Sequence, residues 1–474
     1  MKKIFILAAV ATASLVTSCT KDLTDLNVNT KAPEVVPAGS LFANATIGLV
    51  DYLASPNVNT NNFRLWAQHW TESTYTEESN FLIDQRDVNG SAFDILYTTV
   101  IRDLEEAKTL IAKDNALTES QKKSQTAMAD ILQVYAYSAL VDIFGDVPYY
   151  EALTEDVTPV YNTGEEIYTD LLTRLNTDVA NLSAETGMGS SDLLYGGDGM
   201  MWKKFASSLA LRMAVRISDH NPTVAGQVAA AALASGVFTS SADDAKLNYL
   251  SSPPYTNPLY DDLILSGRTD FVAANTLGDI MNTLEDPRRG LYFRNLDANG
   301  DVTGGVFGDV SPYTSHSQPS DEMEDPTHPG VLISYVEVEF LLAHCAQMGV
   351  PVGGSAASHY DAAVRASILE WGGSTTDADA YLAQTDVAYS AANWRERIGT
   401  QKWIAMYDVP LEAWSAQRMY DHPTMNLAAV AETVTPKRFH YGIDELTLNK
   451  TNCEAAGANY NGDSDFAPIF WDKN

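Results

Sequence analysis

The sequence predicts a mainly α fold, with helical hairpins packed against an irregular, loop-rich lobe carrying short strands. Three observations lead there. Apolar residues recur every three or four positions through most of the chain, which is helical spacing. One long stretch, 248–330, breaks that rhythm and is rich in Pro, Gly, Ser, Asp and Tyr. Small residues (Ala343, Ala346, Ala362, Ala363) stand where two late helices would face each other.

Taken in order, the chain opens Met1-Lys2-Lys3, runs apolar over 4–16, and reaches Val16-Thr17-Ser18-Cys19. That apolar run is shorter than the about 20 residues a bilayer span needs. It has the make-up of a secretory signal, expected to be residues 1–18. The small residues before Cys19 resemble a bacterial lipobox, which implies cleavage before Cys19 and acylation of that cysteine, with palmitate-type chains. Several acyl chains on one residue anchor stably where one alone does not. Residues 19–39, polar and holding Pro33 and Pro37, are expected to be the lipidated tether, and 40–474 a single domain whose irregular lobe spans about 248–330.

Phe93, Leu96, Val100, Leu104, Ala107 and Ile111 mark an amphipathic helix, and Ala127, Ile131, Val134 and Ser138 the next. Gly145 stops the latter, and Pro148 keeps it from resuming. Ile167, Leu171, Leu175 and Val179 form a third stripe, and Trp202, Phe205, Leu209, Met213 and Ile217 a fourth, with Asp198 placed to cap it. The Ala-rich 224–233 reads as helical. Segments 332–348 and 355–371 read as a hairpin with the close approach of tetratricopeptide-like units, degenerate because no 34-residue repeat is legible. Helices are also expected at 397–407 and 412–418. The polar run 71–80 reads as an exposed loop.

Length alone would allow about three domains, yet no Pro/Gly/Ser-rich linker divides the chain. A hydrophobic content of 45% supplies a large core. The formal charge of −32 argues against nucleic acid, whose binding requires Lys and Arg on phosphates. It also argues against docking of the protein body on anionic lipid, leaving the N-terminal lipid as the membrane contact. Besides Cys19, the cysteines are Cys345, in an apolar helical run, and Cys453, expected in a polar C-terminal loop. Two free thiols are expected, since sequence cannot set the distance a disulfide needs.

Four segments together resemble the SusD/RagB-like family of outer-membrane nutrient-binding lipoproteins of Bacteroidota. They are Asp142-Ile143-Phe144-Gly145-Asp146-Val147-Pro148-Tyr149-Tyr150-Glu151-Ala152; Tyr195-Gly196-Gly197-Asp198 with Trp202-Lys203-Lys204-Phe205 and Leu211-Arg212-Met213-Ala214; Gln401-Lys402-Trp403 with Glu412-Ala413-Trp414 and Arg418; and Pro436-Lys437-Arg438-Phe439-His440-Tyr441 with Phe470-Trp471-Asp472. Asp286-Pro287-Arg288 is similar to a further landmark. Ser207, Met419 and His344 depart from the family's usual Asn, Arg and Glu. The resemblance implies a lipid-anchored protein on the extracellular side of the outer membrane. It implies that the protein binds an oligosaccharide, or a peptide in some members, performs no chemistry, and delivers its cargo to a SusC-like TonB-dependent transporter.

Most landmarks read as structural: Gln401, Lys402, Arg418 and Arg438 are expected to satisfy buried carbonyls or carboxylates. Ligand contacts are expected on loops, where an aromatic face suits the apolar face of a sugar and polar side chains suit its hydroxyls. The candidates are Trp70, Tyr75, Asn80, Phe81 and Gln85 in the first loop region, and Tyr255, Asn257, Tyr260, Arg268, Phe271 and Tyr313 in the second. Asp297, Asn299 and Asp301 alternate as at the start of a calcium loop, but Val302 and Gly308 stand where that loop needs Gly and Glu. The run therefore reads as an Asn/Asp turn, with those three residues the one candidate for a structural calcium. No zinc spacing is present.

Two rival readings are a surface glycoside hydrolase and a protein-binding helical-repeat scaffold. The hydrolase needs two carboxylates about 5–10 Å apart, a demand that 62 acidic residues meet somewhere by number alone. No Gly-x-Ser-x-Gly elbow, His-Glu-x-x-His, phosphate loop or dinucleotide fingerprint occurs. The long irregular segment favours a small-ligand surface over a bare scaffold.

Overall fold

Each predicted stripe lies on the buried face of a helix. The computed structural model describes residues 36–184 and 187–473. The signal peptide, Cys19 and residues 19–35 of the tether lie outside the described residues. Ala38–Asn474 forms one compact unit.

Helix α1 is Ala38–Ala54. Helix α2, Val88–Asp94, runs through π-helical turns at Ile95–Ile101 into α3, Arg102–Lys113, and buries the stripe from Phe93 to Ile111. Helix α4, Glu119–Phe144, starts at a capping box between Thr118 and Gln121. It is long and apolar enough to cross a bilayer, but 94% of that window is buried by protein, which makes it the central core helix. At its end Gly145 has φ +87°, and a Cβ there would lie 2.2 Å from the Tyr460 hydroxyl. That hydroxyl donates to Asp146 Oδ1 (2.7 Å) and accepts from the Asp146 N–H (2.9 Å), so only glycine fits.

Helix α5, Gly164–Asn181, begins at a second capping box, Thr163 with Glu166. Asp198 caps α6, Gly199–Arg216, by accepting from the Met200 and Met201 N–H groups, as expected. Helix α7 is Pro222–Ser235, and the nine-residue α8, Asn275–Thr283, lies inside the irregular lobe. Helices α9, Tyr335–Gln347, and α10, Ala356–Glu370, form the late hairpin, with Ala343 and Ala363 fully buried. Helices α11, Thr375–Leu382, α12, Trp394–Ala405, α13, Pro410–Tyr420, and α14, Lys450–Gly457, follow. Neighbours pack in sequence, α3 on α4, α4 on α5, α6 on α7, α9 on α10 and α12 on α13, which is the helical-hairpin architecture the spacing predicts.

The strands are β1 Trp70–Glu72, β2 Val147–Pro148, β3 Tyr161–Asn162, β4 Ala245–Leu247, β5 Phe271–Ala273, β6 Phe293–Arg294, β7 Gln318–Pro319 and β8 Gly330–Ile333. They pair antiparallel as β1–β5, β2–β3, β4–β8 and β6–β7. Three expectations are corrected here. The late hairpin starts at Tyr335 and not at 332, because Gly330–Ile333 pairs with β4 and Ser334 then caps the helix. The segment 248–330 is not free of helix, since it contains α8. Cys453 lies in α14 and is 1% exposed; like Cys345, it is a free, buried thiol.

A buried charge network ties the scaffold together. Arg212 donates to both carboxylate oxygens of Glu337 (2.9 and 2.6 Å) and to the Leu332 carbonyl (2.7 Å). Arg216 reaches Glu412 (2.6 Å) and Asp142 (3.2 Å), and Lys402 lies 3.4 Å from both Glu337 and Glu412. Arg418 donates to the carbonyls of Asp142 and Lys437, Arg438 to that of Phe144, and Gln401 accepts from Arg288. Lys402, Arg418 and Arg438 satisfy buried carboxylates or carbonyls, as the sequence predicts, whereas Gln401 instead joins a guanidinium to the Tyr381 hydroxyl. His344 sits between Ser218 and Tyr420, and burial pushes its pKa down to about 3, so it acts as a neutral core residue.

Candidate ligand-binding surface

The two loop regions meet at the β1–β5 ladder, where Trp70 lies opposite Ala273 and Glu72 opposite Phe271. Beyond the ladder, Ser73 donates its hydroxyl to the Thr269 carbonyl (2.6 Å) and its N–H to that of Asp270 (2.7 Å). The Ser311 N–H donates to the Ser73 carbonyl (3.0 Å), which adds a third segment. This anchoring presents Tyr75, 63% exposed, within electrostatic reach of Arg268, which is itself exposed and paired with Asp270. Asp262 is close by, its pKa raised to about 6 by burial and by Asp261 and Asp270. The result is a shelf with one open aromatic face, a guanidinium and carboxylates at its edge.

Below the shelf the loop is held from within. Glu72 accepts from the Ser79 N–H and hydroxyl (2.9 Å each), and burial together with the facing Glu78 carboxyl raises its pKa to about 9. Asn80 Nδ2 donates to the Thr76 and Gly308 carbonyls (2.7 Å each), while its Oδ1 accepts from the Val430 and Ala431 N–H groups (3.2 and 2.9 Å). Asn80 is therefore a buried junction of three loops. The polar run 71–80 is not the wholly exposed loop its composition predicts, because Thr71, Glu72, Ser73, Glu78, Ser79 and Asn80 all turn inward.

The sequence candidates divide accordingly. Trp70 is fully buried, donating to the Tyr407 hydroxyl (2.7 Å) beneath the Arg64 guanidinium. Phe271 packs on Trp70, and Phe81 lies edge-on to Trp66. Asn257 is fully buried, capping Leu259 and donating to the His328 carbonyl (2.6 Å). With Asn80, these five have no face open to a ligand. Tyr75 and Arg268 come together; Tyr255 (55% exposed), Gln85 and the half-buried Tyr260 stand elsewhere on the surface. Tyr313 accepts from Arg294 (3.2 Å) on a different wall. Asp297 accepts from the Asn299 and Asp301 N–H groups (2.7 and 2.9 Å) and Asp301 pairs with Arg289, so the stretch closes as a turn.

Arg294 belongs to a feature the sequence reading missed, a cavity of about 580 Å³ between the lobe, the end of α10 and residues 405–409. His328 lines it, bridging Glu322 (3.1 Å) and Asp408 (3.0 Å). Burial alone would lower its pKa, but Asp408 and Glu322 outweigh burial and raise it to about 9. The one sequence hint was Trp371, an aromatic placed just before Gly372-Gly373 at a helix end. The His328 pairing is fully present below pH about 6.5 and lost as pH rises through 9. The contribution of protonated Glu72 is full below about pH 4.5 and declines as pH rises to about 9, so it too is falling through neutral and alkaline pH. Melting temperature is therefore expected to fall between pH 7 and pH 10, less steeply in His328→Gln; a flat profile in the wild-type chain would contradict both assignments.

The family model described as "Starch-binding associating with outer membrane", SusD-like, matches residues 30–442. No curated protein matches the chain. Among solved structures, a chitin-binding protein is 27% identical with a TM-score of 0.80, over 92% of this chain and 100% of its own. A SusD homolog from Bacteroides uniformis is 24% identical with a TM-score of 0.80, over 92% and 99%. A chitin-binding SusD homolog from Flavobacterium johnsoniae is 24% identical with a TM-score of 0.78, over 92% and 99%.

Proposed function

The chain belongs to the SusD-like family, and from that premise we propose that it is a carbohydrate-capturing protein of the outer membrane that binds oligosaccharide and releases it unchanged to a SusC-like TonB-dependent transporter. The observation that carries the reading is the Tyr75 shelf. Tyr75 is 63% exposed on a loop anchored through Ser73, which leaves its ring face free for a ligand. Beside Arg268, Asp270 and Asp262 it offers a sugar what it needs, a flat apolar face edged by donors and acceptors. The chitin-binding relative at 27% identity supports the carbohydrate class. Acylation at Cys19 would hold the body at the membrane, facing outward, and the helical hairpins would brace the transporter.

Tyr75→Ala is expected to weaken oligosaccharide binding roughly five- to thirtyfold, the loss of an aromatic anchor worth about 1–2 kcal/mol, with no change in melting temperature. A glycan array followed by titration of the best ligand checks this; equal binding by the variant would remove the shelf from the account. For the transporter, purification of the full chain from detergent-solubilised outer membrane is expected to bring down a large β-barrel companion. Recovery of the chain alone would count against delivery.

A further inference from the structure

The 580 Å³ cavity lies within the size range of small-molecule sites, about 300–1,000 Å³, and stands apart from the Tyr75 shelf. Its charges are unevenly committed. Arg294 is held by Asp321 (2.8 Å) and Glu324 (2.5 Å), His328 by Glu322 and Asp408, and Lys246 by Asp244 (3.1 Å). Glu370 also lines the cavity, and among the described residues its carboxylate has no hydrogen bond or ion pair. Every lining cation is thus already satisfied, and the uncommitted charge is a carboxylate. Enclosure, then the neighbouring Asp244 and Asp408 carboxylates, raise the Glu370 pKa to about 7 against the pull of Lys246 and His328, as expected of a carboxylate short of a positive partner.

Two further groups describe the rest of a ligand. Trp371, next in sequence, is half-buried; it is propped edge-on by Tyr292 (4.8 Å) and flanked by His328, which leaves indole surface toward the cavity. Ser320 lines the cavity, is 7% exposed, and its hydroxyl finds no partner among the described residues. A buried hydroxyl without a partner is costly and calls for one.

We infer that this cavity is a second binding site, distinct from the capture shelf, which takes an amine-bearing sugar. The protonated amine would pair with Glu370, the ring would lie against Trp371, and a ring hydroxyl would meet Ser320. Phosphate and carboxylate ligands are disfavoured because no free cation awaits them. A bare calcium ion is disfavoured because one uncommitted carboxylate falls far short of the six to eight oxygens it takes.

The test is calorimetric titration of the full chain in detergent with the β-1,4 disaccharide of D-glucosamine, against its N,N′-diacetylated form. Saturable binding of the amine form is expected, at least about tenfold tighter than the acetylated form at this site. Glu370→Gln should weaken it by about tenfold or more, Ser320→Ala should weaken it measurably, and Tyr75→Ala should leave it unchanged. Glu370 makes no hydrogen bond or ion pair among the described residues for the isosteric glutamine to break, so its variant should melt with the wild-type chain. No binding of the amine form, equal affinity for the acetylated form, or indifference to Glu370→Gln would overturn the assignment. Loss of binding in Tyr75→Ala alone would return the ligand to the shelf.

Discussion

Replacing Glu337 by alanine is expected to lower the folding free energy by about 3–5 kcal/mol, the cost of leaving buried charge without its partner. Glu337 is fully buried and serves two cations, Arg212 through two hydrogen bonds and Lys402 at 3.4 Å. With it gone, Arg212 and Lys402 face each other with Glu412 as their shared counter-charge. Neither can move to water, since their side chains are 6% and 1% exposed. Arg212 also holds the Leu332 carbonyl, so its displacement should loosen β8 and the start of α9. Urea unfolding would measure the loss. The control is Arg365→Ala, which breaks an exposed pair with Asp379 and is expected to cost within about 0.5 kcal/mol. Similar values for both variants would contradict the network's role.

The second large effect is expected at Arg288. This fully buried guanidinium donates to both oxygens of Asp286 (2.9 and 2.6 Å), to Ser367 of α10 (3.0 Å) and to Gln401 of α12 (2.8 Å). It is the polar rivet between the irregular lobe and the helical scaffold. Arg288→Ala leaves Asp286 buried with the Tyr381 hydroxyl (2.8 Å) and one backbone N–H (2.9 Å), again a loss of about 3–5 kcal/mol. The loss should be local as well as global: amide exchange should accelerate in α8 and residues 284–292 before it does in α4. Arg288→Lys should rescue little, because one ammonium cannot make the forked contacts of a guanidinium. Uniform exchange across the chain would contradict the rivet.

Helices were legible because their cause is local. The stripes from Phe93 to Ile111 and from Trp202 to Ile217 fix which face is buried, and Asp198 and Gly145 mark ends by chemistry that acts within one turn. The binding surface was less legible because its causes are non-local. Asn80 looks like a loop polar residue, but its neighbours in space come from 308 and 430–431, and they make it a junction. Trp70 and Phe271 look like loop aromatics, yet the β1–β5 pairing turns them into the core. Tyr75 lies three residues beyond the ladder, past the buried Ser73, and so stays exposed. The cavity at Trp371 was invisible because its walls come from six separate stretches of chain.

The central claim is capture without chemistry, and the most direct measurement incubates end-labelled starch and chitin oligosaccharides with the full chain. Bound fraction and product length are then read from the same sample. The account predicts saturable retention of at least one of these glycans at its original length, reduced in Tyr75→Ala. Shortened products from the wild-type chain that persist in Tyr75→Ala would contradict it, and so would retention of neither glycan class.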